Sequence, residues 1–247
     1  MFAVEPGILG PRLGQAGRSL PRPRAILVLS PHWMSHRLEV TTAQAPETVH
    51  DFGGFPRVLY TLQYPAPGAP GVAAEVITQL ARHGLQAVGN DHNGLDHGAW
   101  VPLMHMYPEA DIPVIQLTQP AIPSPLALLE LGRALAPLRE QGILIIGSGS
   151  ITHNLYEFRR TDKGEPYAQE FADWIWQRID DGDLDTLLDY RAKAPSAERA
   201  HPTDEHLLPL YFALGAAGED WRSATRLDGG VTDGVLSMDS FVFGSTS

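Results

Sequence analysis

Residues 25–30 read Ala-Ile-Leu-Val-Leu-Ser, and Pro31-His32-Trp33 follow directly. No polar residue interrupts the apolar run. Such a segment predicts a strand covered on both faces, as in a parallel sheet sandwiched by helices. Pro31 lacks a backbone N–H and is expected to end the strand, which leaves His32 at its C-terminal edge. Two further runs have the same character: residues 113–118 (PVIQLT) and 142–147 (GILIIG). Helical periodicity is read over residues 70–83, 125–141, 166–181, 184–190 and 203–215. Gly142 is a suitable C-cap for the second of these, and Thr203 an N-cap for the last. Residues 235–243 are expected to form a final strand. Buried strands alternating with helices define an α/β fold with a central mixed, mainly parallel sheet flanked by helices. The chain, residues 1–247, is expected to form one catalytic domain.

Composition narrows the function. The chain has 247 residues, a net charge of -11 and no cysteine. An acidic surface repels phosphate backbones, so nucleic acid is excluded as a partner. The absence of cysteine removes disulfides, thiolate metal sites, Fe–S clusters and cysteine nucleophiles. It fits a reducing compartment. No basic and apolar leader and no run of about 20 apolar residues is present, so a cytoplasmic protein with no membrane contact is expected. Walker, GxGxxG and GxSxG patterns are absent, and the Gly-rich 147–151 lacks the Lys-Ser/Thr of a phosphate loop.

Histidine is abundant, with ten in the chain. His32 follows the first strand. His153 follows residues 142–147 after a short turn. His206 is expected in the first turn of the last helix. Ligands in open α/β sheets bind beyond the C-terminal strand ends, so His32 and His153, which follow two apolar strands, can face one crevice. Without thiolates, such a nitrogen-rich site suits iron, zinc or manganese. Taken singly, each histidine is more often a hydrogen-bonded structural residue; the joint placement lowers that reading, but spacing alone does not make it small. His32 and His36 have helical metal-pair spacing, but Pro31 and the absence of a following Glu argue against a zincin. Glu205 rivals His206 as a ligand, yet helical neighbours point about 100° apart and are not expected to share one metal. His97 lies in Gly94-Leu-Asp-His-Gly-Ala-Trp100, between permissive glycines. His50, Phe52 and Phe55 lie in a Gly-rich aromatic loop, which is either a wall over a ring substrate or simple packing. His83, His92, His105 and His201 read as structural or solvated.

Five motifs occur in order: Ser30-Pro-His32-Trp33, His50-Asp-Phe-Gly-Gly-Phe-Pro56, Gly94-Leu-Asp-His97-Gly-Ala-Trp100, Gly147-Ser-Gly-Ser-Ile-Thr-His153-Asn154 and Pro202-Thr-Asp-Glu-His206-Leu-Leu-Pro209. Together they resemble the DOPA 4,5-dioxygenase family of class III extradiol ring-cleavage enzymes, over practically the whole chain. The resemblance implies a mononuclear metal at the sheet edge, Fe(II) for activity and Zn(II) in isolated protein. It makes His32 and His206 metal ligands, His153 an acid/base that also touches the metal, and His97 a substrate-side residue. His50, Phe52 and Phe55 would bind substrate. The implied partners are a catechol and O2, acting on a monomer or small homo-oligomer.

One departure accompanies this resemblance. The family carries a further histidine ligand in a His-Gly-Ser-Pro motif after an earlier strand, and residues 1–7 resemble the text just after that motif. The resemblance therefore implies that the chain starts beyond this ligand, through a late-placed start or as a truncated relative. Two other functions stay open on the residues: a zinc hydrolase using the same histidines to activate water, and a non-catalytic binding protein on this fold.

Overall fold

The computed structural model describes residues 2–161 and 163–244; Met1, where the resemblance begins, lies outside them. The apolar run opens strand β1 (Ala25–Ser35), whose first seven residues are buried. It is paired in parallel on both sides, with β4 (Val114–Pro120) and β5 (Ile143–Gly147). The remaining strands are β2 (Leu38–Thr41) and β3 (Ala87–Asn90). The order is β3-β2-β4-β1-β5, and only β2 with β4 is antiparallel. The sheet is thus mixed and mostly parallel, as expected.

Side chains of β1 alternate between two cores, as the period of a strand requires. Leu27 and Leu29 pack with α2 (Pro70–Arg82), α4 (Pro125–Leu135), α5 (Pro166–Asp180) and α9 (Pro209–Ala217). Ile26 and Val28 face Trp100 and Leu103 of α3 (His97–Met106), which is backed by α1 (Leu9–Ser19). Each fully buried aliphatic side chain contributes about 1.5–3 kcal/mol of transfer free energy, and both faces of β1 collect it.

Pro31 does not end β1. Ser30 pairs with Thr118, and the next paired residue, Met34, meets Gln119. Pro31, His32 and Trp33 are therefore extruded as a bulge, and pairing resumes beyond it. A missing N–H in a central strand is accommodated only by such a break in the ladder. The bulge swings His32 off the strand line.

Other boundaries also differ from expectation. The helix expected over residues 125–141 ends at Leu135, and Ala136–Gln141 is a 3₁₀ turn containing Pro137. Gly142 closes it in the left-handed region, at φ 78°. Residues 184–190 divide into α6 (Leu184–Leu188) and the start of α7 (Tyr190–Lys193), followed by α8 (Ala197–Ala200). The expected strand over residues 235–243 is two short ones. In the hairpins β6 (Thr225–Leu227), β7 (Val231–Thr232), β8 (Leu236–Ser237) and β9 (Ser240–Val242), β8 pairs β7 and β9 pairs β6. The helix expected from Thr203 starts instead at Pro209, whose fixed φ and missing N–H suit the first helical position. Thr203 Oγ1 donates to Glu205 Oε1 at 3.0 Å rather than capping a helix. Among the described residues no helix is long and apolar enough to cross a membrane.

Candidate active site

The bulge after β1 is tied to the start of α3 by buried polar groups. Asp96 caps α3, accepting the Ala99 N–H at 3.2 Å. Its Oδ1 also accepts from Ser30 Oγ at 2.9 Å, and Oδ2 from Gln116 Nε2 at 2.7 Å. Gln116 returns the contact by accepting the Asp96 N–H at 2.9 Å. Ser30 Oγ in turn accepts the His32 N–H at 3.3 Å. Burial raises the Asp96 carboxyl above its ordinary pKa, and the bonds from Gln116 and Ser30 offset this only in part. Gly98 is required here. A Cβ at that position would lie 2.4 Å from Ser30 Oγ and 3.0 Å from His32 Cδ2.

A second unit forms where β5 ends. The Ser150 N–H donates to the His206 carbonyl at 2.8 Å, and the His153 N–H to the Ala200 carbonyl at 2.9 Å. These bonds place the His153 and His206 rings in a stack with centroids 3.5 Å apart and planes 8° apart. His206 is not on a helix, so the helical argument against Glu205 does not apply. In this turn His206 Nδ1 donates to Glu205 Oε1 at 3.0 Å. A carboxylate only accepts, so the proton sits on Nδ1 and Nε2 is left as a lone-pair donor. The bond to His206 holds the Glu205 carboxyl down at about 2, against the opposing effect of burial.

The two units meet. His32 lies edge-on to His206 with ring centroids 5.2 Å apart, and 3.9 Å from His97 on its other side. His97, His32, His206 and His153 thus form a continuous row of imidazoles. All four line one cleft of about 1,420 Å³, which runs along β5. Among the described residues β5 is the outer strand of the sheet and pairs with β1. Burial, and then the neighbouring imidazoles His97 and His206, push His32 down to about 3. Burial, followed by His206, pushes His153 down to about 4. Both rings are therefore neutral at pH 7 and carry lone pairs. Donor atoms of His153, Glu205 and His206 lie within 4.8 Å of one another, as do those of His32, Asp51 and His97. Imidazole and carboxylate donors at this spacing fit a divalent metal.

The aromatic loop lies beside this row. Phe52 meets His97 edge-on at 5.5 Å, and Phe55 meets Phe52 at 5.6 Å. His50 donates from Nε2 to the Leu62 carbonyl at 2.9 Å and packs against Trp100. Of the three, Phe52 touches His97, His50 and Phe55 pack on Phe52, and none is among the residues lining the cleft. His83, His105 and His201 bond to backbone carbonyls, while His92 is exposed beside Asp91. Sequence reasoning missed Asp51 and the bond from His206 to Glu205. For Glu205 the available signal was a carboxylate next to a histidine; for Asp51, which meets the distant His97, the sequence carries none.

Residues 12–235 match the family described as the catalytic LigB subunit of aromatic ring-opening dioxygenase. The chain belongs to this family. The ring-opening dioxygenases similar to it include a 4,5-DOPA dioxygenase extradiol of Beta vulgaris. That protein is 43% identical, over 91% of this chain and 84% of its own length. A protein of the same name from Escherichia coli K12 is 38% identical, over 92% of this chain and 85% of its own length. The crystal structure of an uncharacterized E. coli K12 protein matches with a TM-score of 0.77 and 32% identity, covering 94% of this chain and 91% of that one. As a ring-opening dioxygenase of the extradiol type, the chain is an enzyme acting on a small aromatic molecule with O2.

Proposed function

We propose that this enzyme cleaves the ring of a DOPA-like catechol at the bond beside the diol, incorporating both atoms of O2 and giving a muconic semialdehyde. The observation that carries this reading is the row of four imidazoles on one cleft, with His206 backed by a carboxylate. The names of the relatives, 4,5-DOPA dioxygenase extradiol, support the substrate class.

His32 and His206, with His153 alongside, would hold the metal through neutral ring nitrogens. Fe(II) bound there would supply the one-electron chemistry that lets O2 react with a catechol; Zn(II) suits the same donors without redox activity. His153 takes the proton from a catechol hydroxyl and later returns one to the opening product, general acid–base work suited to imidazole. His97 orients the ring from the opposite end of the row. With Phe52 packed edge-on against His97 and His50 and Phe55 packed on Phe52, the aromatic loop joins His97 in orienting the ring. We take residues 1–247 to act as one catalytic domain, as a cytoplasmic monomer or small homo-oligomer.

The reading is tested by supplying Fe(II), DOPA and O2 to the purified chain and following products by mass spectrometry. A product heavier than DOPA by two oxygen atoms, or by two oxygen atoms less one water once the amine closes on the new aldehyde, supports it. Loss of DOPA with neither product rejects ring cleavage.

A further inference from the structure

Asp51 sits in the loop before α2, between His50 and Phe52. Its Oδ1 accepts the His97 backbone N–H at 2.9 Å. That N–H is in the first turn of α3, where no carbonyl of the helix itself can reach it. The positive end of the helix favours a carboxylate at this point. The second oxygen, Oδ2, lies 2.9 Å from His97 Nδ1 and 3.7 Å from His32 Nδ1. One carboxylate therefore addresses the backbone and the ring of the same histidine, and faces a second histidine.

The Oδ2 approach to the ring lies off the Nδ1–H axis. Hydrogen bonds of catalytic groups commonly straighten only when substrate is bound. Burial pushes the Asp51 carboxyl up, but the ring and backbone of His97 outweigh it, and the net direction is down. The carboxylate is thus ionised and accepts only.

We infer that Asp51 is a positioning residue of this site: it holds the His97 ring with the proton on Nδ1, leaving Nε2 as the acceptor on the cleft side. Glu205 does the same for His206 on the opposite wall. Carboxylates then fix His97 at one end of the row and His206 next to the other end. The tautomer claim stands on geometry alone; its effect on turnover rests on the ring-cleavage reading. Carboxylate partners of this kind are worth about 10–100-fold in activity or affinity.

The test uses the full chain, labelled with ¹⁵N histidine, loaded with Zn(II) and kept at about pH 8, where imidazole is neutral. Long-range ¹H–¹⁵N spectra distinguish a proton on Nδ1 from one on Nε2, and comparison with His97→Gln assigns the signal. In the wild-type protein His97 is expected to carry its proton on Nδ1. In Asp51→Asn it is expected to become a mixture, with kcat for catechol cleavage falling about 10–100-fold and KM little changed. Asp51→Glu should recover part of both. A wild-type His97 protonated on Nε2 overturns the inference, and so does an unchanged tautomer in Asp51→Asn. Loss of zinc in Asp51→Asn also overturns it, since Asp51 would then be a ligand. The wild-type spectrum decides even if a variant fails to fold. It also decides if no catechol is cleaved, which separates failure of this inference from failure of the proposed function.

Discussion

The rings of His153 and His206 lie face to face, 3.5 Å between centroids, although one follows β5 and the other precedes α9. Two imidazolium rings would repel at this separation, so the stack requires at least one neutral ring. Burial keeps His153 neutral. His206 is fixed from behind by Glu205. On the proposed reading the two rings have different roles. His206→Ala should lose the metal, whereas His153→Ala should keep it and lose ring cleavage. Metal content of the purified variants, read beside turnover, checks both. Unchanged metal in His206→Ala removes it as a ligand, and full activity in His153→Ala removes the proton-transfer role.

Glu205 should matter to metal affinity without being a ligand. Glu205→Gln keeps the shape but presents a neutral group to His206 Nδ1. The expected loss in affinity is about 10–100-fold, measured by competition with a chelating dye. Affinity equal to wild type would mean that the contact does not tune His206.

Gly149 should be intolerant for a packing reason. A Cβ there would lie 2.2 Å from the His206 carbonyl oxygen. That oxygen belongs to backbone held by Ser150 and has little room to retreat. Gly149→Ala should cost about 1–3 kcal/mol, or about 2–4 °C in Tm per kcal/mol at this size. The same change should weaken metal binding, because His206 is displaced. A variant with unchanged Tm and metal content would contradict the close approach.

Acid should destabilise the metal-free protein in a defined window. Burial is the leading cause that lowers His153 and His201 to about 4, and it lowers His32 to about 3. In the unfolded chain these rings take protons near pH 6.5. Between about 6.5 and 4 the unfolded state binds more protons, so stability rises with pH in that range and is lost as pH falls through it. Urea midpoints across this interval measure the slope. A flat profile, or greater stability on acidification, would contradict the buried neutral assignment.

Much of this arrangement is legible in the chain because burial on both faces leaves uninterrupted apolar runs. Residues 25–30, 113–118 and 142–147 each became a strand of the sheet. β2 and β3, with Glu39 and Gly89 in four-residue segments, carry no such signal. Their pairing comes from tertiary context. His32 and His153 line one cleft, as their placement after strands implied. What local pattern could not supply was the path of the backbone around them. Pro31 reads as a stop but produces a bulge, because β4 pairs with the strand again beyond the break, at Met34 and Ser35. Thr203 reads as a cap, yet Pro209 sets the helix start. That one shift turned Glu205 from an excluded ligand into the partner of His206. Asp51 is brought to His97 by a loop from elsewhere in the chain, a relationship no local window contains.

Oxygen uptake by the Fe(II)-loaded protein tests the central claim most directly. With a DOPA-like catechol present, the account predicts one O2 consumed for each catechol lost, and no uptake when Zn(II) replaces Fe(II). Fe(II)-loaded protein that consumes no O2 with any catechol, while the Zn(II) form hydrolyses esters or amides, would contradict it.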